Sequence, residues 1–385
     1  MQKQKTHILI TSWNAGHQKI AAGGYIRMLE IFKRVPDNIE LLVIDTYPGV
    51  YRSIKKPNVR HLVYRIPGWL KSIEKYSYNF ERILEWLYSS CRIFWIAVKY
   101  RYQYDFVYNP TSELLVTSWP SLWIHWLLRK KVIFMNMNAN ANHLEAAINT
   151  YIHNHIDKTL TISEDLKKNL AKQNIHVTEI NQVGIDLEII NKIPDQTKKY
   201  DAFFIGRHTK EKGIFDLLDL VSEVVKIMPD FRLITIGSCD NETRQKIDME
   251  MKSRKIEKNW TIAGIVDEEE KYKIIKSSKI CLYLSYREGW GIVPHEAMAC
   301  GLPSVVYDLP VYQEHIAKSP SVFRVPVGDW QAATKKVIEI IREKREMWEK
   351  WNKDGKSFVK NYGWEKIAKQ EFEILSSFWQ HNMVV

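Results

Sequence analysis

The chain has 385 residues, of which 45% are hydrophobic and 26% are charged. This composition is typical of a folded globular protein and excludes a disordered or fibrous chain. The length suits two domains, each able to bury a core of its own.

The cysteine spacing and the hydropathy of the sequence indicate the cellular compartment of the protein. The cysteines, at positions 91, 239, 281 and 300, lack the spacing of a zinc site or a disulfide framework, which fits a reducing compartment. Residues 1–7 lead into a short apolar strand without the apolar run of a signal peptide. The longest uncharged run, between Glu113 and Arg129, is shorter than a membrane-spanning helix. We therefore expect a cytoplasmic protein.

The net charge of +11 is confined to the first part of the chain. Residues 1–143 contain 20 basic and 9 acidic residues, whereas the remainder contains 36 of each kind. Such an excess favours contact between this part of the chain and an anionic partner.

Residues 69–104 interleave eleven aromatic with six basic side chains. Rings and cations together suit the headgroup region of a bilayer, and they also suit single-stranded nucleic acid. A packed helix, with its rings in the core and its cations in water, explains the same pattern. The packed helix and a peripheral contact with an anionic membrane are the two main interpretations, and we expect no nucleic acid partner.

The first half alternates apolar runs with segments of helical periodicity. Strands are predicted at residues 7–11, 39–45, 61–66, 105–109, 131–136 and 158–163. The glycine pair Gly23-Gly24 lies between the first strand and a helix, at the edge where doubly wound sheets bind ligands. The polar segment 136–143 also follows a strand, which makes His143 a candidate for substrate contact, although a solvated loop histidine is the simpler alternative.

A polar segment, residues 193–199, lacks periodicity and is interpreted as a linker. A second series of strands and helices follows, with strands predicted at residues 201–205, 232–236, 260–262, 280–284, 305–307 and 322–325. The chain ends in helices from Trp330 to about residue 380. Strand and helix alternate in both halves, which predicts an α/β fold with two Rossmann-like domains.

Two glycine-bounded turns in the second half carry charged side chains. Arg207 offers a planar fork of donors and Lys212 a mobile cation, so together they can neutralise a diphosphate. Because both turns follow strands of one predicted sheet, they are expected to open into the same crevice. A solvated basic loop is the alternative for Arg207 and Lys212.

The other turn has a carboxylate on each side, Glu288 before it and Glu296 in the helix that follows. Pro294 suits the first helical position and Gly301 the residue after the helix. The free N–H groups of a helix start favour an anion, and carboxylates accept hydrogen bonds from the paired hydroxyls of a sugar or a ribose. Alternatively, Glu296 only favours the helix dipole and Glu288 is solvated.

These motifs resemble those of retaining nucleotide-sugar glycosyltransferases of family 4, which have the GT-B fold. The matching segments are Gly206-Arg207-x4-Lys212-Gly213, Glu288–Pro303 (EGWGIVPHEAMACGLP), the Gly23-Gly24 loop, Thr161–Glu164 and Gly184–Asp186. The resemblance implies two Rossmann-like domains that face each other across a cleft. We expect an acceptor-binding domain at residues 1–192, a nucleotide-sugar-binding domain at 200–362, and a final helix, 363–385, that returns to the first domain.

The resemblance also implies how the donor diphosphate is held. Arg207 and Lys212, in the loop that begins at Gly206, would bind the diphosphate and stabilise the charge of the leaving nucleotide. Gly24 would approach the phosphates from the first domain. This arrangement implies neither a metal ion nor a cofactor, because the two cations replace them.

For the rest of the donor, the resemblance implies that Glu288 binds sugar hydroxyls and that Glu296 binds the ribose. Backbone contacts are implied at Gly289, Trp290 and Gly291 for the sugar, and at Gly237 and Ile265 for the base. The family often has a histidine after the strand that here is 131–136. This chain has Met137 and Asn138 there, so Asn138 and His143 are the candidates for the contact with the sugar or the acceptor.

The implied reaction is a retaining, metal-independent transfer of a mannose- or glucose-type hexose from a UDP- or GDP-sugar. The acceptor would be a hydroxyl of a glycan or a lipid-linked molecule. The protein would reach this acceptor as a peripheral membrane protein, with residues 69–104 in contact with an anionic membrane. One alternative is a non-catalytic protein that binds nucleotide or polysaccharide on the same scaffold. A nucleic-acid-binding protein is the less favoured alternative.

Overall fold

A computed structural model describes residues 5–12, 23–47, 49, 51–72, 78–110, 114–137 and 143–383. The chain divides into two compact units. The first consists of residues 1–183 and 364–385, and the second of residues 184–363.

The first unit is built on a seven-stranded sheet in the order β3-β2-β1-β4-β5-β6-β7, with every pair parallel. Its strands are β1 Thr6–Thr11, β2 Ile39–Thr46, β3 Val59–Tyr64, β4 Phe106–Asn109, β5 Lys131–Asn136, β6 Lys158–Thr161 and β7 Glu179–Ile180. Its helices are α1 Gly23–Phe32, α2 Gly68–Ser72, α3 Tyr78–Lys99, α4 Trp119–Leu128, α5 His143–His153, α6 Glu164–Ala171 and, from the end of the chain, α15 Trp364–Met383.

The second unit is built on a six-stranded parallel sheet in the order β10-β9-β8-β11-β12-β13. Its strands are β8 Tyr200–Ile205, β9 Leu233–Ile236, β10 Trp260–Gly264, β11 Ser278–Tyr283, β12 Ser304–Tyr307 and β13 Val322–Val325. Its helices are α7 Leu187–Lys192, α8 Ile214–Ile227, α9 Asn241–Ser253, α10 Glu268–Lys276, α11 Ile292–Ala299, α12 Pro310–Glu314, α13 Trp330–Ile341 and α14 Arg345–Val359.

Both sheets follow from the apolar runs of the sequence. Strands such as β4 and β12 are buried at every position, as expected for parallel strands that are covered by helices on both faces. Strands and helices alternate along both units, each of which is Rossmann-like, and the predicted α/β fold is confirmed.

Helix α15 belongs to the first unit, where a buried charge cluster attaches it. The guanidinium of Arg27 on α1 donates to both oxygens of Glu371 on α15, at 3.2 and 2.7 Å. Tyr108 and Asn181 donate to the same carboxylate, and Arg27 also donates to the carbonyl of Gln182 at 3.3 Å. A buried ion pair is tolerated only when its hydrogen-bonding groups are satisfied, so this cluster specifies where α15 docks.

The break between the units comes before the boundary expected at residue 192. Residues Ile185, Ile190 and Ile193 lie in the core of the second unit. Asp186 caps α7 by accepting a hydrogen bond from the backbone N–H of Ile189 at 2.9 Å. The short helix therefore packs with the second unit, although its polar surroundings resembled those of a linker.

Within the described ranges, none of the helices combines the length and the apolar character that crossing a bilayer requires.

Candidate functional site

The predicted motifs of the second unit lie at the carboxyl ends of adjacent strands. Gly206 follows β8 and donates to the carbonyl of Ile236 on β9 at 2.9 Å, and Gly237 donates to the carbonyl of Gly264 on β10 at 2.8 Å. Strand β11, which pairs with β8, leads to Glu288. The structure therefore brings Gly206, Gly237 and Glu288 to one edge of one sheet, as the sequence predicted. Ile265, directly after β10, is exposed at this edge.

Close backbone packing places Lys212 beside the second motif. Gly213 has φ +72°, and a Cβ at this position would lie 2.0 Å from the carbonyl oxygen of Leu284 at the end of β11. Only glycine allows that approach. As a result, the loop that carries Lys212 lies against the strand that leads to Glu288.

Lys212 and Glu288 form an ion pair in which both side chains are largely buried. The hydroxyl of Tyr283 also donates to Oε1 of Glu288, at 2.7 Å. Burial and the neighbouring Glu288 carboxylate raise the pKa of Tyr283 well above its ordinary value, so this hydroxyl stays a donor. The carboxylate is thus fixed from one side by a cation and a phenol.

Arg207 does not join this pair. Its side chain is exposed, and among the residues that the structure describes it forms no hydrogen bond or ion pair. The guanidinium therefore remains available to an anion that reaches the end of β8.

The Glu288–Gly291 turn opens directly into α11. Gly291 has φ +84°, and α11 begins at Ile292, two residues before the start predicted at Pro294. Proline is nevertheless tolerated there, because the N–H groups of the first helical turn have no partner within the helix. A Cβ on Gly291 would lie 2.4 Å from the ring of Tyr312, so this turn also requires glycine.

The side chain of Trp290 is buried and stacks on two histidines. Its ring centroid lies 5.5 Å from that of His295 and 4.1 Å from that of His315. Burial lowers the pKa of His295 to about 4, and burial together with His295 lowers the pKa of His315 to about 2. Both rings are therefore neutral near pH 7, and His295 packs the turn from inside.

Glu296 is buried on α11 and is held by α10. Its Oε1 accepts hydrogen bonds from Nζ of Lys271 at 2.8 Å and from the hydroxyl of Tyr272 at 2.9 Å. Lys271 also pairs with Glu268 at 2.7 Å. Burial opposes the charge of Lys271, but Glu296 and Glu268 raise its pKa above the ordinary value.

The sequence analysis missed Lys271 and Tyr272. They lie in a helix rich in Glu and Lys, where a lysine is usually solvated and pairs with a neighbour four residues away. The signal that could have found them is the amphipathic pattern of α10, which places Tyr272 on the buried side with Ile275.

In the first unit, Gly24 is the second residue of α1 and lies close to the end of β5. A Cβ on Gly24 would lie 2.8 Å from Cε of Met137, the residue after that strand. The candidate Asn138 lies outside the described residues. His143 is the first residue of α5, and its side chain is not among those described.

Among the described residues, no group of three or more His, Cys, Asp or Glu side chains is arranged to hold a metal ion.

Solved structures define the class to which this fold belongs. HepE of Anabaena, in complex with UDP and glucose, superimposes with a TM-score of 0.76 at 13% identity, over 97% of this chain and 100% of that chain. Sucrose-phosphate synthase of Thermosynechococcus elongatus gives a TM-score of 0.72 at 18% identity, over 98% and 100%. The chain has the GT-B fold.

The family match lies in the second unit. Residues 186–358 match the family described as glycosyl transferases group 1. The chain thus has the GT-B fold, and its second unit matches the glycosyl transferases group 1 family, in agreement with the two motifs.

Relatives of known name match over part of their length. Phosphatidyl-myo-inositol mannosyltransferase of Mycobacterium leprae is 27% identical over 171 residues, 44% of each chain. The capsular polysaccharide biosynthesis glycosyltransferase CapM of Staphylococcus aureus is 26% identical over 231 residues, 56% of this chain and 60% of CapM. GDP-mannose:cellobiosyl-diphosphopolyprenol alpha-mannosyltransferase of Xanthomonas oryzae pv. oryzae is 21% identical over 185 residues, 48% and 49%. The chain spans about half the length of these relatives.

Proposed function

We propose that the protein is a retaining glycosyltransferase that moves a mannose- or glucose-type hexose from a UDP- or GDP-sugar to a hydroxyl of a glycan or a lipid-linked acceptor. The observation that carries the proposal is the position of Lys212, Glu288 and Glu296 at one edge of the second sheet. A cation and two separately fixed carboxylates offer a diphosphate and two sets of hydroxyls the partners they need.

The diphosphate of the donor binds Arg207 and Lys212. The exposed guanidinium of Arg207 engages the phosphates directly, and Lys212 turns to them from Glu288. Negative charge grows on the β-phosphate as its bond to the sugar breaks, and cations placed where that charge develops lower the barrier. Two cations at this position supply the charge that a metal ion would otherwise provide, so the proposed reaction needs neither a metal ion nor a cofactor.

Glu288 accepts hydrogen bonds from hydroxyls of the hexose, next to the backbone N–H groups of the turn at Gly289, Trp290 and Gly291. Glu296 accepts hydrogen bonds from the ribose hydroxyls through the oxygen that Lys271 and Tyr272 leave free. The backbone at Gly237 and Ile265 lines the place of the base, and Gly24 adds backbone contacts to the phosphates from the first unit.

In the transfer step, the bond between C1 of the sugar and the β-phosphate oxygen breaks, and a bond from the acceptor oxygen to C1 forms on the same face. The acceptor proton passes to the departing phosphate, and the nucleoside diphosphate leaves. Retention of the anomeric configuration follows from attack on that face.

The acceptor is proposed from the names of the relatives and from the charge of the first unit. Two of the relatives are named for inositol lipid and polyprenol diphosphate substrates. The excess of positive charge in residues 1–143 favours an anionic, membrane-borne acceptor, met at an anionic membrane surface through residues 69–104. The four free cysteines support a cytoplasmic location.

The test is the release of nucleoside diphosphate from a panel of UDP-, GDP- and ADP-hexoses, in buffer with EDTA. We expect slow hydrolysis of one donor without acceptor, which Glu296→Ala slows markedly. Binding of a donor without turnover, with or without candidate acceptors, would support the non-catalytic alternative instead.

A further inference from the structure

Helix α3 is apolar on two of its sides. One side packs into the core of the first unit, with Ile93 fully buried. On another side, Ile83, Leu87, Cys91 and Trp95 recur every fourth residue, and 47% of Ile83, 58% of Leu87 and 51% of Trp95 are exposed. Residues four apart lie on one side of a helix, so these four form a strip that we call the α3 apolar row.

The charges of α3 are sorted by sign. Its two acidic residues, Glu81 and Glu85, are buried, with exposures of 3% and 5%. Its basic residues Arg82 and Lys99 are exposed, and Arg92 is half-buried. The surface of α3 therefore presents the apolar row together with cations and no carboxylate.

Two cations lie on the aromatic ring at the end of the row. The guanidinium of Arg92 is 5.1 Å and the ammonium of Lys99 is 5.4 Å from the ring centroid of Trp95. Just beyond the helix, the guanidinium of Arg101 lies 4.3 Å from the ring centroid of the exposed Tyr102. Aromatic rings at the level of the lipid headgroups, with cations beside them, are typical of surfaces that lie in a membrane interface.

We propose that the α3 apolar row docks on a bilayer of anionic phospholipids, with Ile83, Leu87 and Trp95 entering the interface and Arg92 and Lys99 contacting the headgroups. A second copy of the chain fits the row less well, because a symmetric contact would bring the same cations face to face. An apolar row with cations at its border needs both a hydrocarbon layer and negative charge, and an anionic bilayer supplies both.

This docking surface rests on the proposed function in one respect: the membrane is where the enzyme would bind a lipid-linked acceptor. Its evidence comes from the first unit alone. Docking can therefore be tested without the donor or the acceptor.

Cys91 allows a direct readout, because it lies in the row and is the one exposed cysteine of the four. An environment-sensitive fluorophore is attached to Cys91 in a Cys239→Ser background, since Cys281 and Cys300 are buried. On vesicles of equal parts phosphatidylglycerol and phosphatidylcholine, we expect a blue shift of the emission and co-sedimentation of the protein. On phosphatidylcholine alone, we expect much weaker binding.

Substitutions test whether membrane binding depends on the α3 apolar row or on exposed apolar residues in general. Replacing Ile83 and Leu87 together by Glu is expected to lower the partition coefficient by about tenfold for each side chain. The matched control replaces Ile227 and Met249 in the second unit, which are 54% and 64% exposed, and is expected to bind like the original protein. Replacing Arg92 and Lys99 by Gln is expected to weaken binding to the anionic vesicles by about fivefold for each cation.

Three results would overturn the proposal. They are a protein that does not sediment with anionic vesicles, a row variant that binds like the original, and sedimentation without any change of the emission at Cys91. If the original protein is a dimer that does not bind vesicles, and the row variant is a monomer, the row would be assigned to contact with a second copy of the chain. Nucleoside diphosphate release in the absence of vesicles tests the proposed function separately, so a protein that docks without turnover contradicts the function and supports the docking surface.

Discussion

Nζ of Lys271 lies 2.8 Å from Oε1 of Glu296, and the hydroxyl of Tyr272 reaches the same oxygen at 2.9 Å. Within the described part of the chain, Oε2 of Glu296 has no hydrogen-bond donor. The two side chains of α10 therefore orient the carboxylate by one oxygen and leave the other for a ligand. This makes Lys271 a positioning residue for the proposed ribose contact.

Replacing Lys271 by Met should raise the KM for the donor by about tenfold, as expected for the loss of one hydrogen bond to a charged group, and should change kcat much less. Steady-state kinetics with the donor found in the panel measures both constants. Lys271→Arg should restore most of the affinity. Lys273→Met removes a more exposed lysine that pairs with Glu269 on the same helix, and it serves as the control. An unchanged KM in Lys271→Met would show that the contact is only structural.

Glu296 should distinguish ribose from deoxyribose. A carboxylate that accepts from two hydroxyls loses a partner when the 2′-hydroxyl is absent, which costs about tenfold in kcat/KM. Comparison of the ribonucleotide donor with its 2′-deoxy analogue should show this preference in the original protein and none in Glu296→Ala. If the variant keeps the preference, another group binds the ribose.

Arg207 and Lys212 should act on the chemical step. Removing a group that stabilises the charge of the leaving diphosphate lowers kcat by about a hundredfold or more, so each alanine variant is expected to lose that much. The exposed Lys210 lies in the same loop, and Lys210→Ala is the matched control. Single-turnover release of nucleoside diphosphate measures the effect. A loss that appears only in KM would mean that the cations bind the donor without aiding its cleavage.

The buried His295, which stacks on Trp290 of the Glu288–Gly291 turn, should make stability depend on pH. Burial lowers the pKa of His295 from 6.5 to about 4. As the pH falls below 6.5, the unfolded chain takes up a proton that the folded chain excludes, so stability decreases until about pH 4, by up to about 3 kcal/mol. His295→Leu should make the melting temperature depend less steeply on pH over this range, with His315 keeping its own contribution, whereas His176→Leu, at an exposed site, should leave the slope unchanged. Equal slopes for the original protein and His295→Leu would contradict this origin of the pH dependence.

The ion pair between Arg27 and Glu371 should stabilise the first unit only as a pair. Removing one partner leaves a buried charge, so Glu371→Leu should cost about 3–5 kcal/mol of the free energy of unfolding. The double variant with Arg27→Met should recover much of that loss. Chemical denaturation of both variants measures it, and additive losses would show that the two side chains contribute independently.

The two glycine-bounded turns and their charged side chains could be predicted in full, because such turns after apolar strands depend on local chemistry. The same local chemistry could not reveal Lys271, whose partner Glu296 is 25 residues away on another helix. It also could not sort the side chains of α3. The eleven rings and six cations of residues 69–104 fit either a packed helix or a membrane surface, until the burial of Glu81 and Glu85 on α3 showed which side of that helix faces solvent. Helix α7 lies within the predicted first domain, residues 1–192, but packs in the second unit, because local residue types do not show which core a short helix joins.

The most direct test of the account is the binding of a nucleoside diphosphate and of its hexose donor to Lys212→Ala and Glu288→Ala, measured by calorimetry. Lys212→Ala should weaken both ligands by about tenfold or more. Glu288→Ala should weaken only the hexose donor, and it should leave the nucleoside diphosphate bound as tightly or more tightly, because Lys212 is released from its ion pair. If Glu288→Ala weakens both ligands equally, or neither, the carboxylate does not bind the hexose and the donor site proposed here is wrong.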